Sequence, residues 1–129
     1  MTEIIQINTQ QAPTAIGPYS QAVRAGSFVF VSGQLPLDPA TGKMVDGDIR
    51  AMTKRVMENL ESILKEAGLG FENVVRMDIF MKDLSEFTTV NDEYGKHFKS
   101  HIKPARQTIQ VAKLPLDAPM EISCIAFKP

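Results

Sequence analysis

The period of apolar and polar positions changes several times along the chain, and each change marks an element. The opening EIIQIN is rich in isoleucine and partly alternating, which predicts a first strand. TQQAPTAIGPYS follows as a loop, punctuated by Pro13 and Gly17-Pro18. In QAVRAGSFVFVSGQLP two strand-like runs flank Gly26-Ser27, the pattern of a hairpin. PLDPATGKMVDGD is surface turn chemistry, with proline pre-setting φ and glycine supplying conformations that other residues resist. From Ile49 to Ala67 the positions Met52, Val56, Leu60, Ile63, Leu64 and Ala67 recur at helical spacing, with Asp48 as N-cap and Gly68 as the stop.

VVRMDIFM alternates Val75, Met77, Ile79 and Met81 against Val74, Arg76, Asp78 and Phe80, which predicts a strand with one strongly apolar face. A second helix is expected from DLSEF, where Asp83 and Glu86 resemble a capping box. Leu84, Phe87, Val90, Asn91, Tyr94 and Phe98 form its stripe, with Asn91 as the polar interruption. RQTIQVAKL and MEISCIAFK, joined by PLDAP, end the chain as two strands. The order is strands, helix, strand, helix, strand, strand, and it predicts an α+β fold or a split βαβ arrangement with both helices on one sheet face.

Composition narrows this picture. The 129 residues suit a single domain over 1–129, and no apolar run approaches the roughly 20 residues of a membrane span. Fourteen basic against fifteen acidic side chains leave a formal charge of -1. That balance builds in no general attraction to nucleic acid or anionic lipid. The start of the chain has no basic residue before Arg24, which fits neither a secretory leader nor an arginine-rich transit peptide, so a cytoplasmic location is expected. Cys124 is the only cysteine, so an intrachain disulfide is impossible. It sits among apolar strand positions and reads as an inert packed thiol.

Arg106 raises the main chemical question. Strand alternation puts Arg106, Thr108 and Gln110 on one side. The arginine either pairs with a nearby carboxylate or offers its planar fork to a ligand carboxylate or phosphate. Glu121, at the head of a strand, is either that partner or a carboxylate that positions a water. Tyr19 in IGPYSQA is either packed down its loop or a pocket wall, and Ser32-Gly33 in VSGQLP offers a small hydroxyl and an accessible backbone amide at a strand end. His97 and His101 stand at zinc-ligand spacing on a continuous helix. Crowded by Lys96, Lys99 and Lys103 and lacking a third ligand, they read better as a solvated helix end. GLG at 68–70 is a helix stop and not a phosphate loop.

Taken together, IGPYSQA, FVSGQLP, VNDEY and PARQTIQVAKLPLDAPMEI resemble the RidA/YjgF imine deaminase family over essentially the whole chain. The resemblance implies a chorismate-mutase-like α+β fold, a homotrimer with three clefts between subunits, and no cofactor. It also implies hydrolysis of reactive 2-imino acids, such as 2-iminobutanoate and 2-iminopropanoate, to 2-oxo acids and ammonia. By the same resemblance Arg106 matches the clamp on the substrate carboxylate and Glu121 the acid that holds the attacking water. Thr108 stands where many members have cysteine, a position expected to act through its main chain. Tyr19, Ser32, Gly33 and Asn91 match the remaining pocket residues.

Gln107 departs from the family pattern, which favours a small residue there. Alternation turns it away from Arg106, so it is expected to affect packing or a subunit contact more than the catalytic centre. Two other functional classes compete with the deaminase. One is a metabolite-binding or chaperone-like regulator using the same clefts. The other is an RNA-directed translation inhibitor or ribonuclease, against which the near-neutral charge and the lack of a basic aromatic stripe argue.

Overall fold

The computed structural model describes residues 3–99 and 102–129. Its elements are β1 (Ile4–Ile7), β2 (Ala22–Ala25), β3 (Phe28–Gln34), α1 (Ile49–Glu66), β4 (Val74–Met81), α2 (Phe87–Gly95), β5 (Ala105–Gln110) and β6 (Met120–Phe127). The six strands form one sheet in the order β1-β2-β3-β6-β4-β5. All neighbours are antiparallel except β4 and β5, which run parallel and are joined through α2. Because β3 and β4 are both antiparallel to β6, they are parallel to each other, and α1 carries the chain between them over the inserted β6. This is the expected split βαβ arrangement.

Local chemistry explains the boundaries. Gly26 adopts φ +61° between Ala25 and Phe28, so the hairpin closes over the two residues read from the sequence. Asp48 Oδ1 accepts from the Ala51 N–H at 3.0 Å and caps α1. At the other end Gly68, with φ +77°, donates to Lys65 O while Leu69 donates to Leu64 O, the Schellman pattern that satisfies the last carbonyls.

Two details differ from the sequence reading. The register of β4 against β6 shifts between Val74 and Arg76, so Val74 is buried and Val75 exposed. A bulge at that point breaks the strict alternation, which resumes with Met77, Ile79 and Met81 in the core. Asp83 caps a separate 3-10 turn, Leu84–Glu86, by accepting from Ser85 N, and the α-helix begins only at Phe87. Leu84 therefore lies outside the buried stripe, which keeps Val90, Tyr94 and Phe98.

α1 and α2 pack on each other and cover one side of the sheet, burying Val56, Leu60, Ile63 and Leu64 against Val29, Val31, Met77, Ile79, Met120, Ile122 and Cys124. The other side is open and presents Phe28, Phe30 and Phe127, each at least 40% exposed. Among the described residues no helix is long and apolar enough to cross a membrane.

Candidate functional site

The two charged residues singled out from the sequence lie on opposite sides of the sheet. In β4, Met77 pairs with Arg106 of β5 and Phe80 pairs with Glu121 of β6. Paired residues share a side, and positions 77 and 80 have opposite parity. Arg106 thus points to the helix side and Glu121 to the open side. The intrachain ion pair left open by the sequence is not formed.

On the helix side, Arg106 is exposed on the edge strand, and its guanidinium is held by α2. Nη1 donates to Asn91 Oδ1 at 2.6 Å, and Cζ lies over the rings of Phe87 and Tyr94 at 5.5 Å and 5.1 Å from their centroids. Leu84, Phe87, Arg106 and Thr108 line a shallow concavity. The Thr108 hydroxyl is buried there with no hydrogen-bond partner among the described residues. Gln110 is drawn away, accepting from Leu84 N at 2.9 Å. Burial raises the Tyr94 phenol to about 12, so it stays neutral at ordinary pH.

On the open side, Glu121 lines a cleft of about 530 Å³ with Tyr19, Ser32, Gly33, Ile16, Leu37 and Pro115. The cleft owes its shape to a bulge. Val31 pairs with Cys124 and Gln34 with Ile122, so Ser32 and Gly33 together oppose the single residue Ser123. A Cβ on Gly33 would stand 2.7 Å from Glu121 Cδ and 2.8 Å from Oε2, so any side chain there would push this carboxylate out of its present place. The Ser32 hydroxyl donates to Ser20 O at 2.6 Å, tying the bulge to the loop that carries Tyr19. Gly17, at φ +123°, turns that loop, and Tyr19 N donates back to Gly17 O. Burial raises the Glu121 carboxyl above its ordinary value, and no hydrogen bond or ion pair to it is present among the described residues.

The predicted site residues therefore fall into two sets: Asn91, Arg106 and Thr108 on one side, and Tyr19, Ser32, Gly33 and Glu121 on the other. Gln107 pairs with Asp78 on the open side and faces away from Arg106, as alternation required. Sequence reasoning placed Phe87 and Tyr94 in the core stripe and missed their contact with Arg106. Their spacing around Asn91, at 87, 91 and 94, was the available signal.

Other candidates have structural partners. His97 lies beyond the end of α2 at Gly95, so the continuous helix that would bring two histidines onto one face is not present at this point. Its Nε2 is 3.2 Å from Glu93 Oε2, and its ring packs on Phe71. His101 lies outside the described residues. No group of three His, Cys, Asp or Glu side chains suited to a metal ion occurs among the described residues. Cys124 is buried, and burial pushes its thiol up to about 12, the behaviour of an inert core residue.

Comparison with known proteins agrees with this architecture. Residues 9–128 match the family model described as Endoribonuclease L-PSP. A RutC family protein of Pyrococcus abyssi is 48% identical over 122 residues, covering 95% of both chains. The chloroplastic Reactive Intermediate Deaminase A of Arabidopsis thaliana is 48% identical over 120 residues, covering 93% of this chain and 64% of that one. The solved structure of E. coli TdcF with bound serine superposes with a TM-score of 0.92 at 40% identity, covering 96% of this chain and 98% of that one. The chain belongs to the Endoribonuclease L-PSP family, also called RidA/YjgF. Its two helices and mixed six-stranded sheet are that family's fold.

Proposed function

We propose that the protein is an imine deaminase that hydrolyses 2-imino acids such as 2-iminobutanoate and 2-iminopropanoate in the cytoplasm, without a cofactor, at clefts between the subunits of a homotrimer. One observation carries the composite site: Arg106 and Glu121 point to opposite sides of the same sheet. One chain cannot close both around one small molecule, whereas two chains in a closed ring can juxtapose the Arg106 side of one with the Glu121 side of the next. The open-side phenylalanines Phe28, Phe30 and Phe127 are the apolar surface such an assembly would cover. Membership of a family that includes a reactive-intermediate deaminase, and a relative holding an amino acid, support the substrate class.

The reaction asks little of the protein because the protonated imine carbon is already electrophilic. Arg106 binds the substrate carboxylate and fixes the orientation of C2. A water held by Glu121 attacks C2. As the C–O bond forms, the C=N electron pair moves to nitrogen and a water proton passes to Glu121. The carbinolamine collapses when nitrogen takes that proton and the C–N bond breaks; ammonia leaves, and the hydroxyl proton goes to solvent. A carboxyl raised by burial is a stronger base than an ordinary one, which suits it to take the proton from water and hold it until nitrogen takes it back.

The test is ammonia and 2-oxo acid release from freshly generated 2-iminobutanoate. Wild type should exceed buffer, and Arg106→Ala should lose roughly ten- to over a hundredfold in kcat/KM, the loss expected for charge-assisted bonds to a carboxylate. Wild type no faster than buffer would overturn the enzyme reading. Light scattering tests the assembly independently, because a single-chain mass would remove the composite cleft.

A further inference from the structure

We infer that Phe87 and Tyr94 are positioning residues for Arg106, forming with Asn91 a three-residue bed on α2 that fixes the guanidinium for a carboxylate. The inference rests on the reading of Arg106 as the carboxylate clamp and goes beyond it by assigning what aims the clamp. Arg106 stands on an edge strand and is exposed, a setting in which a free arginine samples many rotamers. Ordering it at the moment of binding would cost affinity, so contacts that order it beforehand strengthen binding without touching the ligand.

The geometry supplies those contacts from a single face of one helix. Residues 87, 91 and 94 fall at i, i+4 and i+7 of α2, so their side chains line up toward β5. The parallel register places Arg106 beside Met77, on the helix side, where that row meets it. Phe87 and Tyr94 offer ring faces within 6 Å of Cζ, the range in which a ring quadrupole attracts a guanidinium. Asn91 takes one N–H of Nη1. Among the described residues the other four donors of the fork have no hydrogen-bond partner, enough for a bidentate carboxylate.

Ring and hydroxyl contribute unequally at Tyr94. Its phenol stays neutral because of burial. The ring is what contacts Arg106, and it also packs against Phe98 at 4.8 Å between centroids. Tyr94→Leu therefore perturbs the core as well as the bed. Phe87, only partly buried, is the cleaner probe.

The experiment measures 2-oxobutanoate binding by calorimetry, and KM and kcat for 2-iminobutanoate, in Phe87→Leu, Tyr94→Leu and Tyr94→Phe. Each variant is made in the wild-type and Arg106→Ala backgrounds, with folding checked by thermal melting. Phe87→Leu should weaken 2-oxobutanoate binding and raise KM roughly 3- to 10-fold with kcat within about twofold. Tyr94→Phe should restore the affinity that Tyr94→Leu loses. With Arg106→Ala already present, Phe87→Leu should cause no further loss, because its effect passes through the guanidinium.

Wild-type affinity in Phe87→Leu would overturn the inference, as would an equal loss with and without Arg106. If wild type binds 2-oxobutanoate through Arg106 but hydrolyses no imine, the deaminase reading fails and the binding cycle still decides the bed. If the protein neither binds 2-oxobutanoate nor turns over imine, the clamp reading fails and the bed falls with it.

Discussion

The helix side around Arg106 and the open side around Glu121 hold their charged groups by opposite means. Arg106 is exposed but crowded with partners, fixed by a 2.6 Å hydrogen bond and two aromatic rings. Glu121 is partly buried and has no partner among the described residues, and it occupies the space that a side chain at Gly33 would take. A guanidinium keeps its charge in any setting, so contacts serve to aim it. A carboxyl changes its proton affinity with its surroundings, so removing partners and water tunes it. Arg106 is aimed by adding neighbours, and the proton affinity of Glu121 is tuned by withholding them.

Removing the group on the open side should have the largest effect. Glu121→Gln is expected to lower kcat for imine hydrolysis by about 10² to 10⁴, the usual contribution of a positioned acid–base group. In wild type the acid limb of the pH–rate profile should lie above the ordinary carboxyl value of 4.5, because burial raises Glu121 and only its ionised form accepts a proton from water. Folding follows the same sign. A carboxyl that binds its proton more tightly when folded opposes folding as pH rises through its folded value, and this penalty vanishes on acidification. Glu121→Gln should remove both dependences, and pH-dependent kinetics and melting read them separately.

Mixing variants tests whether the two sides belong to one site. In the proposed trimer, equal amounts of Arg106→Ala and Glu121→Gln chains assembled together should recover about a quarter of wild-type activity. Three-quarters of random trimers are mixed, and each mixed ring has one of its three clefts intact. Recovery requires unfolding and reassembly together. Activity that remains at the level of the separate variants would break the composite site.

Smaller effects probe how each group is held. Gly33→Ala places a methyl against the Glu121 carboxylate, and displacing that group by even 1 Å should cost up to about 10²-fold in kcat while Arg106-dependent ligand binding persists. Steady-state kinetics beside calorimetry checks that split. Thr108→Val removes a buried hydroxyl with no hydrogen-bond partner and should raise stability by about 1 kcal/mol in a denaturant melt. A loss of similar size would show that the hydroxyl is paired in the assembled protein.

The sequence alone carried much of this molecule because its local signals agree. Asp48 and Gly68 bound α1 through backbone hydrogen bonds that depend only on neighbouring residues. Gly26-Ser27 closes the hairpin for the same reason. Alternation put Arg106 with Thr108 and turned Gln107 away, a consequence of strand geometry wherever the strand lies. Specific segments such as PARQTIQVAKL pointed to the family and to the site residues. The early end of α2 and the Val75 bulge escaped because both depend on how β4 and α2 meet the rest of the sheet.

Periodicity places a side chain relative to its own strand, never relative to another strand's sides. Whether Arg106 could reach Glu121 was therefore undecidable until the β4 register set them on opposite sides of the sheet. The same holds for Phe87 and Tyr94, whose spacing marks a helix face but not what that face meets. The sequence determined which groups this protein has and how each is oriented locally. Only the tertiary structure decided which of them stand together, because strand order and register are set by contacts distant in the chain.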